Sequence, residues 1–556
     1  MNSCGIESTI FNKDDIDALQ ASNISELLQE IAAIGIVERG APGSQADITI
    51  RGSSIEGVLV MVNGISIRDP QTGHFTMDIP VDLSDVERVE VLHGGGAPVY
   101  GSTASGGVVN IITGCDTNRA NGSFSIGSYG SHNTSAGTVI PIAGSAMSLD
   151  LHHGSSDGYT SGTDNEISGA NVTGSYQTGA LTVDWNMGLL QKKFGAEGFY
   201  GDYPSYEETL TLAGGLHAQH VLSPDSIIRI KAGARGHDDD FILVRDDPDL
   251  YRNTHYNRSV LYSGEFIHSI NNNYFAVIGA ESEFTGITSG ALGNHSDRNN
   301  ALYSGFTAEK GRANLSVSLR YDSGFRNIDS FVYGTGLMYA LSARNHVKIR
   351  TEKSFRVPTY TELYYDSPAN RGNPFLKPEY TKSVETGYEF TGDNISSGFT
   401  VFIRKAYNTI DWIRRYNETI WEAENHGEII TTGIEFKTGF IVTGSLNIRM
   451  SAMLLDQDVK RQEGIESKYT LNPAAKIVSG TITGKLPYSL KYMINCRFEE
   501  KIEGDTRAPL KISCSKKVSN YTISGQIRNV CNEQYEEIPG LKAPGRWFSL
   551  RLEYSR

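Results

Sequence analysis

From about residue 115 onward, apolar and polar residues alternate with a period of two over segments of about nine or ten residues. Over 181–189, Leu181, Val183, Trp185, Met187 and Leu189 alternate with Thr182, Asp184, Asn186 and Gly188. Over 315–322, Leu315, Val317, Leu319 and Tyr321 alternate with Ser316, Ser318, Arg320 and Asp322. At the C-terminus Phe548, Leu550, Leu552 and Tyr554 alternate with Ser549, Arg551 and Glu553. A soluble sandwich turns its apolar face to a core; an outer-membrane barrel turns it to lipid and its polar face to the lumen. Periodicity alone does not separate the two. Length does, because nine or ten residues match a tilted membrane crossing, whereas soluble strands run to about five or six. Short turns also alternate with long polar loops, as in such barrels. At about 20 residues per strand and connection, about 440 residues predict about 22 antiparallel strands, the class whose lumen is plugged.

The first 114 residues have a different texture. Asn23 followed by Glu26 is a capping pair. Ile24, Leu27, Leu28 and Ile31 form one helical stripe, which Gly35 is expected to end. Short strands are predicted at 47–51, 57–63, 86–92 and 108–113, with a turn at Asn63-Gly64. The reading is a membrane all-β protein: a transmembrane barrel over 115–556, with a small α/β plug over 1–114 in its lumen.

The stretch His93–Gly114, which follows the third of these strands and includes the fourth, contains Gly96-x-x-x-x-Gly101-Ser102-Thr103. A phosphate-binding loop needs Lys where Ser102 stands, and a helix after it. The next residues are instead β-branched, Gly107-Val108-Val109-Asn110-Ile111-Ile112. The glycines therefore read as a strand–turn–strand passage that runs close to other backbone, stiffened by Pro98 and Tyr100.

Composition narrows the function classes. The chain has 556 residues, a formal net charge of −14 and 21% charged residues, which argues against nucleic acid. Fifty-nine Gly and 28 Tyr with 17 Pro suit many strands with aromatic anchors. The five cysteines, Cys4, Cys115, Cys496, Cys514 and Cys531, show no zinc spacing. They read as unpaired packing residues, with Cys496–Cys514 the disulfide to look for in an oxidising compartment. No run approaches 18 apolar residues, and no signal-peptide pattern opens the chain. No enzyme motif stands out.

The chain resembles the TonB-dependent outer-membrane receptors over nearly its whole length. The plug segments are ITIRGSSIEGVLVMVNGISIRDPQTGHF at 48–75 and DIPVDLSDVERVEVLHGGGAPVYGSTASGGVVNIIT at 78–113. Barrel segments include SFRVPTYTELYY from 354, GNPFLKPEYTKSVETGYEF ending at 390, NTIDWI at 408–413, TTGIEF at 431–436 and PGRWFSLRLEY at 544–554. The resemblance implies active import of a scarce ligand across the outer membrane of a Gram-negative bacterium, and no enzyme activity. TonB, ExbB and ExbD would supply the energy, a periplasmic binding protein would receive the ligand, and the receptor would sit as a monomer among lipid and lipopolysaccharide.

It also implies site residues. Plug arginines pair with barrel glutamates; Arg51 matches one arginine, and Glu385 and Glu435 match its partners. The second arginine is His93 here, which would make plug release pH-sensitive if the ring is protonated. The bland alternative is that these are ordinary lumen-facing charges. Phe194, Phe199, Tyr200, Tyr203 and Tyr206 are ligand-binding candidates in a loop expected to face outward, or members of an interfacial girdle. Asp238, Asp239, Asp240, Asp246, Asp247 and Asp249 are candidate Ca²⁺ ligands, or an acidic solvated loop. No cofactor is required. The pattern is nearest the cobalamin-receptor-like branch, so the expected ligand is cobalamin or a related corrinoid. The alternatives are a ferric siderophore, another iron chelate or haem, and a non-energised binding or adhesion protein. A TonB-contacting box is not seen before Ile10, and the expectation is an upstream segment beyond Met1.

Overall fold

The computed structural model describes residues 7–115, 120–142, 145–416, 418–460, 464–468, 473–502 and 504–556. Its dominant element is a closed antiparallel barrel of 22 staves. The two-residue strand Thr506–Arg507 and the strand Leu510–Val518 share one stave, both pairing with Leu490–Lys501. Closure comes from the C-terminal strand Trp547–Ser555, which pairs on one side with Tyr521–Arg528 and on the other with the first stave, Ala120–Gly127. In hydrocarbon an open sheet edge has no water to bond, so closure leaves no strand with a bare ladder.

The alternation sets which face is which. On Leu181–Gly195, Met187 and Leu189 are exposed while Asn186, Leu190 and Lys192 are buried toward the lumen. On the last stave Phe548, Leu550 and Leu552 are about half exposed. An apolar band of this extent is stable only against lipid. The expected strands form and extend further than the alternation alone marks, as in Tyr206–Ser223 and Arg252–Asn271.

The two rims differ. Two residues separate Thr178 from Leu181, Ser223 from Ser226, Lys310 from Ala313 and Thr443 from Leu446. At the other rim, connections such as 196–205, 243–251, 357–378 and 529–546 are long. Short turns mark the periplasmic end of outer-membrane barrels. At the outer rim, three connections contribute Asn370–Arg371, Trp421–Asn425, Ile410–Arg415 and Ile465–Ser467 to one four-stranded sheet.

Inside stands the plug. Its five-stranded sheet runs Glu7–Asn12, Val86–His93, Gly107–Thr113, Val58–Val62, Ile65–Ser66. A second sheet pairs Ile34–Arg39 with Gln45–Ile50. Asn63 and Gly64 both have positive φ, 52° and 75°, as a tight hairpin turn requires. The last plug strand ends at Thr113 and the first stave begins at Ala120.

Three expectations need correction. The helix capped by Asn23 ends at Leu28, and Gly35 lies inside the strand Ile34–Arg39; Ile31 is buried by packing rather than by helical continuation. The passage after His93 contains a one-turn helix, Ala97–Tyr100, between its strands. Its glycines do serve close approach: Gly94 and Gly101 have φ of 96° and 85°, and a Cβ on Gly95 would collide with Glu352 Oε1. Cys496 and Cys514 do not face each other, because Cys496 registers with Leu510 and Cys514 with Tyr492; both are free, as is Cys531. Cys4 lies outside the described residues.

Deleting 548–556 should abolish insertion, since it exposes the ladder edges of the first stave and of Tyr521–Arg528. Heat-modifiable migration of membrane fractions checks this, and normal insertion would contradict the pairing.

Candidate functional site

Two regions carry the functional chemistry: the plug's seat against the barrel wall, and the cavity above the plug. In the seat, Arg51 comes just after the strand Gln45–Ile50 in a left-handed conformation, φ 53°, held by its N–H donating to Ala33 O at 2.8 Å. That turn points the guanidinium at the wall. Nε and Nη2 donate to the two oxygens of Glu435 at 2.7 and 3.0 Å, and Nη1 donates to Glu385 at 2.6 Å. The guanidinium also lies 4.3 Å from the Phe402 ring centroid. Burial alone would lower the Arg51 pKa, but the two carboxylates outweigh it and raise it. His93 completes the group: Nδ1 lies 3.2 Å from Glu435, and Nε2 lies 3.1 Å from the Thr9 hydroxyl. With a proton on Nδ1 the ring donates to Glu435, while Nε2 and the Thr9 hydroxyl share the second hydrogen bond.

The structure thus brings together Arg51, His93, Glu385 and Glu435. It adds anchors that the sequence patterns did not single out. Glu7, on the first plug strand, accepts from Lys348 at 2.5 Å and Thr400 at 2.8 Å, and also pairs with Lys437. Those cations hold its carboxyl well below the ordinary range despite burial. Lys192 reaches Asp78 at 2.6 Å, and Arg235 pairs with Asp69. Arg497 donates to the backbone carbonyls of Ile31 and Ile34 at 3.2 and 2.6 Å. Glu26 pairs with Arg528 at 3.0 Å and with Lys511. Their common signal was available: Lys192, Arg235 and Arg497 are cations on the lumen phase of alternating strands, where a partner must exist.

Above the plug, toward the long loops, lies a cavity of about 730 Å³. Its floor is plug surface, including Ser53–Glu56 and Gln71–Phe75 residues, and its walls carry Tyr200, Tyr203, Phe241, Tyr251, Tyr365 and Trp412. Trp412, from the 408–413 segment, sits on the four-stranded outer sheet. The helix Tyr360–Tyr364 is boxed by Thr359 and Glu362, and Arg356 holds Glu362 and Glu379 together. Its backbone N–H groups at Tyr360 and Thr361 donate to Pro70 and Gln71 of the plug, at 2.9 and 3.1 Å. Loop and plug therefore share one wall of the cavity. Among the described lining residues, eight are carboxylates and five are lysine or arginine.

The candidate aromatics divide. Tyr200 and Tyr203 line the cavity, and Tyr200 Oη accepts from Gln45 at 2.8 Å. Phe194 and Phe199 stack inside a buried cluster with Ala196 and Leu541, and Tyr206 lies against Arg245. The six aspartates do not converge. On the strand Ser226–Ile242, Asp238 pairs with Arg258 at 2.9 Å and Asp240 with Arg252, while Asp239 turns inward to accept from Gln71 at 3.0 Å. Alternation sends neighbours to opposite faces, so a run of aspartates on a strand cannot wrap one ion. Asp246, Asp247 and Asp249 are exposed in the loop after that strand. Among the described residues no three His, Cys, Asp or Glu groups form a metal-holding cluster.

The model described as the TonB-dependent receptor plug domain matches residues 4–108, and the model described as TonB-dependent receptor-like β-barrel matches 110–489. The vitamin B12 transporter BtuB of Vibrio cholerae serotype O1 is 25% identical over 98% of this chain and 92% of that protein. BtuB of Photobacterium profundum is 26% identical over 81% of this chain and 75% of that protein. Among solved structures, the FrpB iron transporter from Neisseria meningitidis superposes with a TM-score of 0.83 at 14% identity, covering 99% of both chains. The siderophore receptor PirA from Pseudomonas aeruginosa does so with a TM-score of 0.81 at 18% identity, covering 100% of both.

The seat and the plug behind it can each be tested. Glu435→Lys replaces the bidentate acceptor with a second cation beside Arg51; removing one partner of a buried pair costs about 3–5 kcal/mol. Cells carrying it should become sensitive to large antibiotics such as vancomycin, and an intact barrier would count against the seat. Burial pushes the plug carboxyl of Glu38 up to about 7, with Arg528 pulling the other way. A raised folded-state pKa contributes stability that is complete below the ordinary carboxylate range and is lost as pH rises through about 7. From about pH 5 to about pH 8, the melting temperature of the wild type should fall relative to Glu38→Gln; a constant difference would refute the assignment.

Proposed function

Because the chain belongs to the TonB-dependent receptors of the Gram-negative outer membrane, and so transports a ligand in partnership with TonB, we propose that its ligand is cobalamin or a related corrinoid. The observation that carries this reading is the lining of the outer cavity. Ferric catecholate siderophores and haem arrive as anions, and the lining offers them no surplus of cations: its five lysines and arginines stand among eight Asp and Glu residues, and Arg39 and Arg507 are already paired with Asp47 and Glu499. A corrinoid presents a broad apolar ring edged with neutral amides. Tyr200, Tyr203, Tyr365 and Trp412 offer flat contact for the ring, and Gln71, Thr72, Asn253 and Ser367 offer partners for the amides. The full-length likeness to vitamin B12 transporters supports the same choice. Ca²⁺ is not assigned a role in this reading.

Binding alone does not move a ligand inward. A site that holds a scarce solute tightly releases it only when work changes the relative stability of its states, and we assign that work to TonB energised by ExbB and ExbD. The edge strand Glu7–Asn12 is placed to receive it. It lies at the short-turn rim, pairs only with Val86–His93 within the plug sheet, and is tied to the wall through Glu7 and Lys437. Pulling this strand would strip Thr9 from His93 and Glu7 from its lysines before Arg51 is disturbed. The receptor works as a monomer in this scheme and hands its ligand to a periplasmic binding protein.

Purified protein should bind cyanocobalamin, read by quenching of intrinsic fluorescence, more tightly than a ferric tricatecholate or haem. Tyr203→Ala and Trp412→Ala should each weaken binding about tenfold, the loss expected for one aromatic contact of about 1.4 kcal/mol. Tighter binding of the iron compounds would overturn the corrinoid assignment. Uptake that persists without TonB would instead overturn the energised mechanism.

A further inference from the structure

Three lysines stand in one row on the outside of the barrel. The strand register sets Lys353 directly opposite Lys382, and Lys382 directly opposite Lys405. All lie on the outward phase, since their neighbours Glu352, Thr381 and Arg404 are buried toward the lumen. Like charges directly opposite on a sheet destabilise the pairing, so a row of three needs a counter-charge. Among the described residues, no carboxylate lies within ion-pair distance of Lys353 or Lys382. Lys405 has Glu428 at 2.7 Å, but Glu428 also pairs with Lys460 at 3.1 Å. Aromatic rings are interleaved: Lys353 Nζ lies 4.6 Å from the Tyr380 ring centroid, and the Nζ atoms of Lys382 and Lys405 lie 5.9 and 5.0 Å from that of Tyr407.

The height of the row identifies what supplies the counter-charge. Toward the short turns the outward positions become apolar: Val384 lies directly below Lys382 and Ile403 directly below Lys405, exposed by 46% and 48%, and on the third stave Thr351 is followed by Ile349, exposed by 50%. Above the row the strands end at Arg356, Glu379 and Tyr407, where the long loops begin. Tyr333, directly opposite Lys353, continues the level as part of an aromatic girdle. The lysines thus mark the outer edge of the apolar belt, the depth at which lipid headgroups lie.

We propose that Lys353, Lys382 and Lys405 bind a phosphate on the headgroup of an outer-leaflet glycolipid, whose acyl chains lie along the apolar belt below. Phosphate fits because it concentrates charge and several acceptor oxygens in one compact group that three ammonium groups can share. The lipid, rather than a free anion, is the source, because the row adjoins the exposed apolar belt, where Val384 and Ile403 offer contact to acyl chains. This site is independent of the ligand cavity, which lies inside the barrel.

The test uses the full chain in a nonionic, lipid-free detergent. It is titrated with diphosphoryl lipid A, with the dephosphorylated glycolipid and with inorganic phosphate, and bound species are counted by native mass spectrometry. The wild type should bind diphosphoryl lipid A at least about tenfold more tightly than the triple variant K353Q/K382Q/K405Q. The triple K353R/K382R/K405R should retain binding. In detergent without lipid the glutamine variant should melt at or above the wild-type temperature, because repulsion has been relieved. Diphosphoryl lipid A should raise the wild-type melting temperature and leave that of the glutamine variant unchanged. Equal affinity in the wild type and the glutamine variant would overturn the proposal, as would full protection by inorganic phosphate or by the dephosphorylated glycolipid. A lower melting temperature for the glutamine variant in lipid-free detergent would also overturn it, by showing that the lysines stabilise the wall without an anion.

Discussion

Every other feature of this protein depends on the closure of its hydrogen-bond ladder. In hydrocarbon a strand edge has no solvent to pair with, so the C-terminal strand must meet the first stave across the whole length of the chain. Closure with 22 staves encloses a lumen wide enough for a folded domain. The same alternation that turns Leu550 and Leu552 to lipid turns polar side chains inward. The lumen wall is therefore charged, and whatever fills it must satisfy those charges.

The plug does so with ion pairs, beside an apolar contact in which Ala213, Met453, Leu455 and Ile477 of the wall join its core. Its own core is conventional, with Leu27, Ile34, Val60 and Val91 fully or almost fully buried. Where it meets the wall, Arg51, Glu7, Asp78, Asp69 and Glu26 each find opposite charges. Such a seam has two useful properties. Removing one partner leaves a buried charge, so the seat is specific; but water entering the seam can hydrate both partners, so force can open it without exposing a large apolar surface. A hydrophobic seam of the same area would seal equally well and reopen poorly.

Much of this was legible one residue at a time. The period of two gave the outward and inward faces of 181–189, 315–322 and 548–554, because the pleat has no other periodicity. Arg51, Glu385 and Glu435 were found through motif resemblance, and the structure places them within one cluster. Reading by proximity in sequence failed where the backbone separates neighbours. Asp238, Asp239 and Asp240 look like a cluster, yet a strand divides them between two faces. Phe194 and Phe199 look like a binding surface, yet they pack into a small core with Leu541 of a different connection. Gly35 looks like a helix stop, yet Thr49 across the sheet requires a glycine there, since a Cβ would stand 2.6 Å from its hydroxyl.

The sequence by itself determined the architecture: a lipid-facing barrel with a small α/β plug, because local periodicity and strand length are properties of neighbouring residues and of the solvent they face. Tertiary structure alone decided the chemistry of the seat and of both surfaces. Glu7 meets Lys348 and Thr400 across hundreds of residues; Trp412 and Tyr203 reach one cavity from separate loops; and Lys353, Lys382 and Lys405 become a row only when three staves take their register. Those relations depend on which strands are neighbours and how far each is shifted, and no local pattern encodes a distance between segments far apart in the chain.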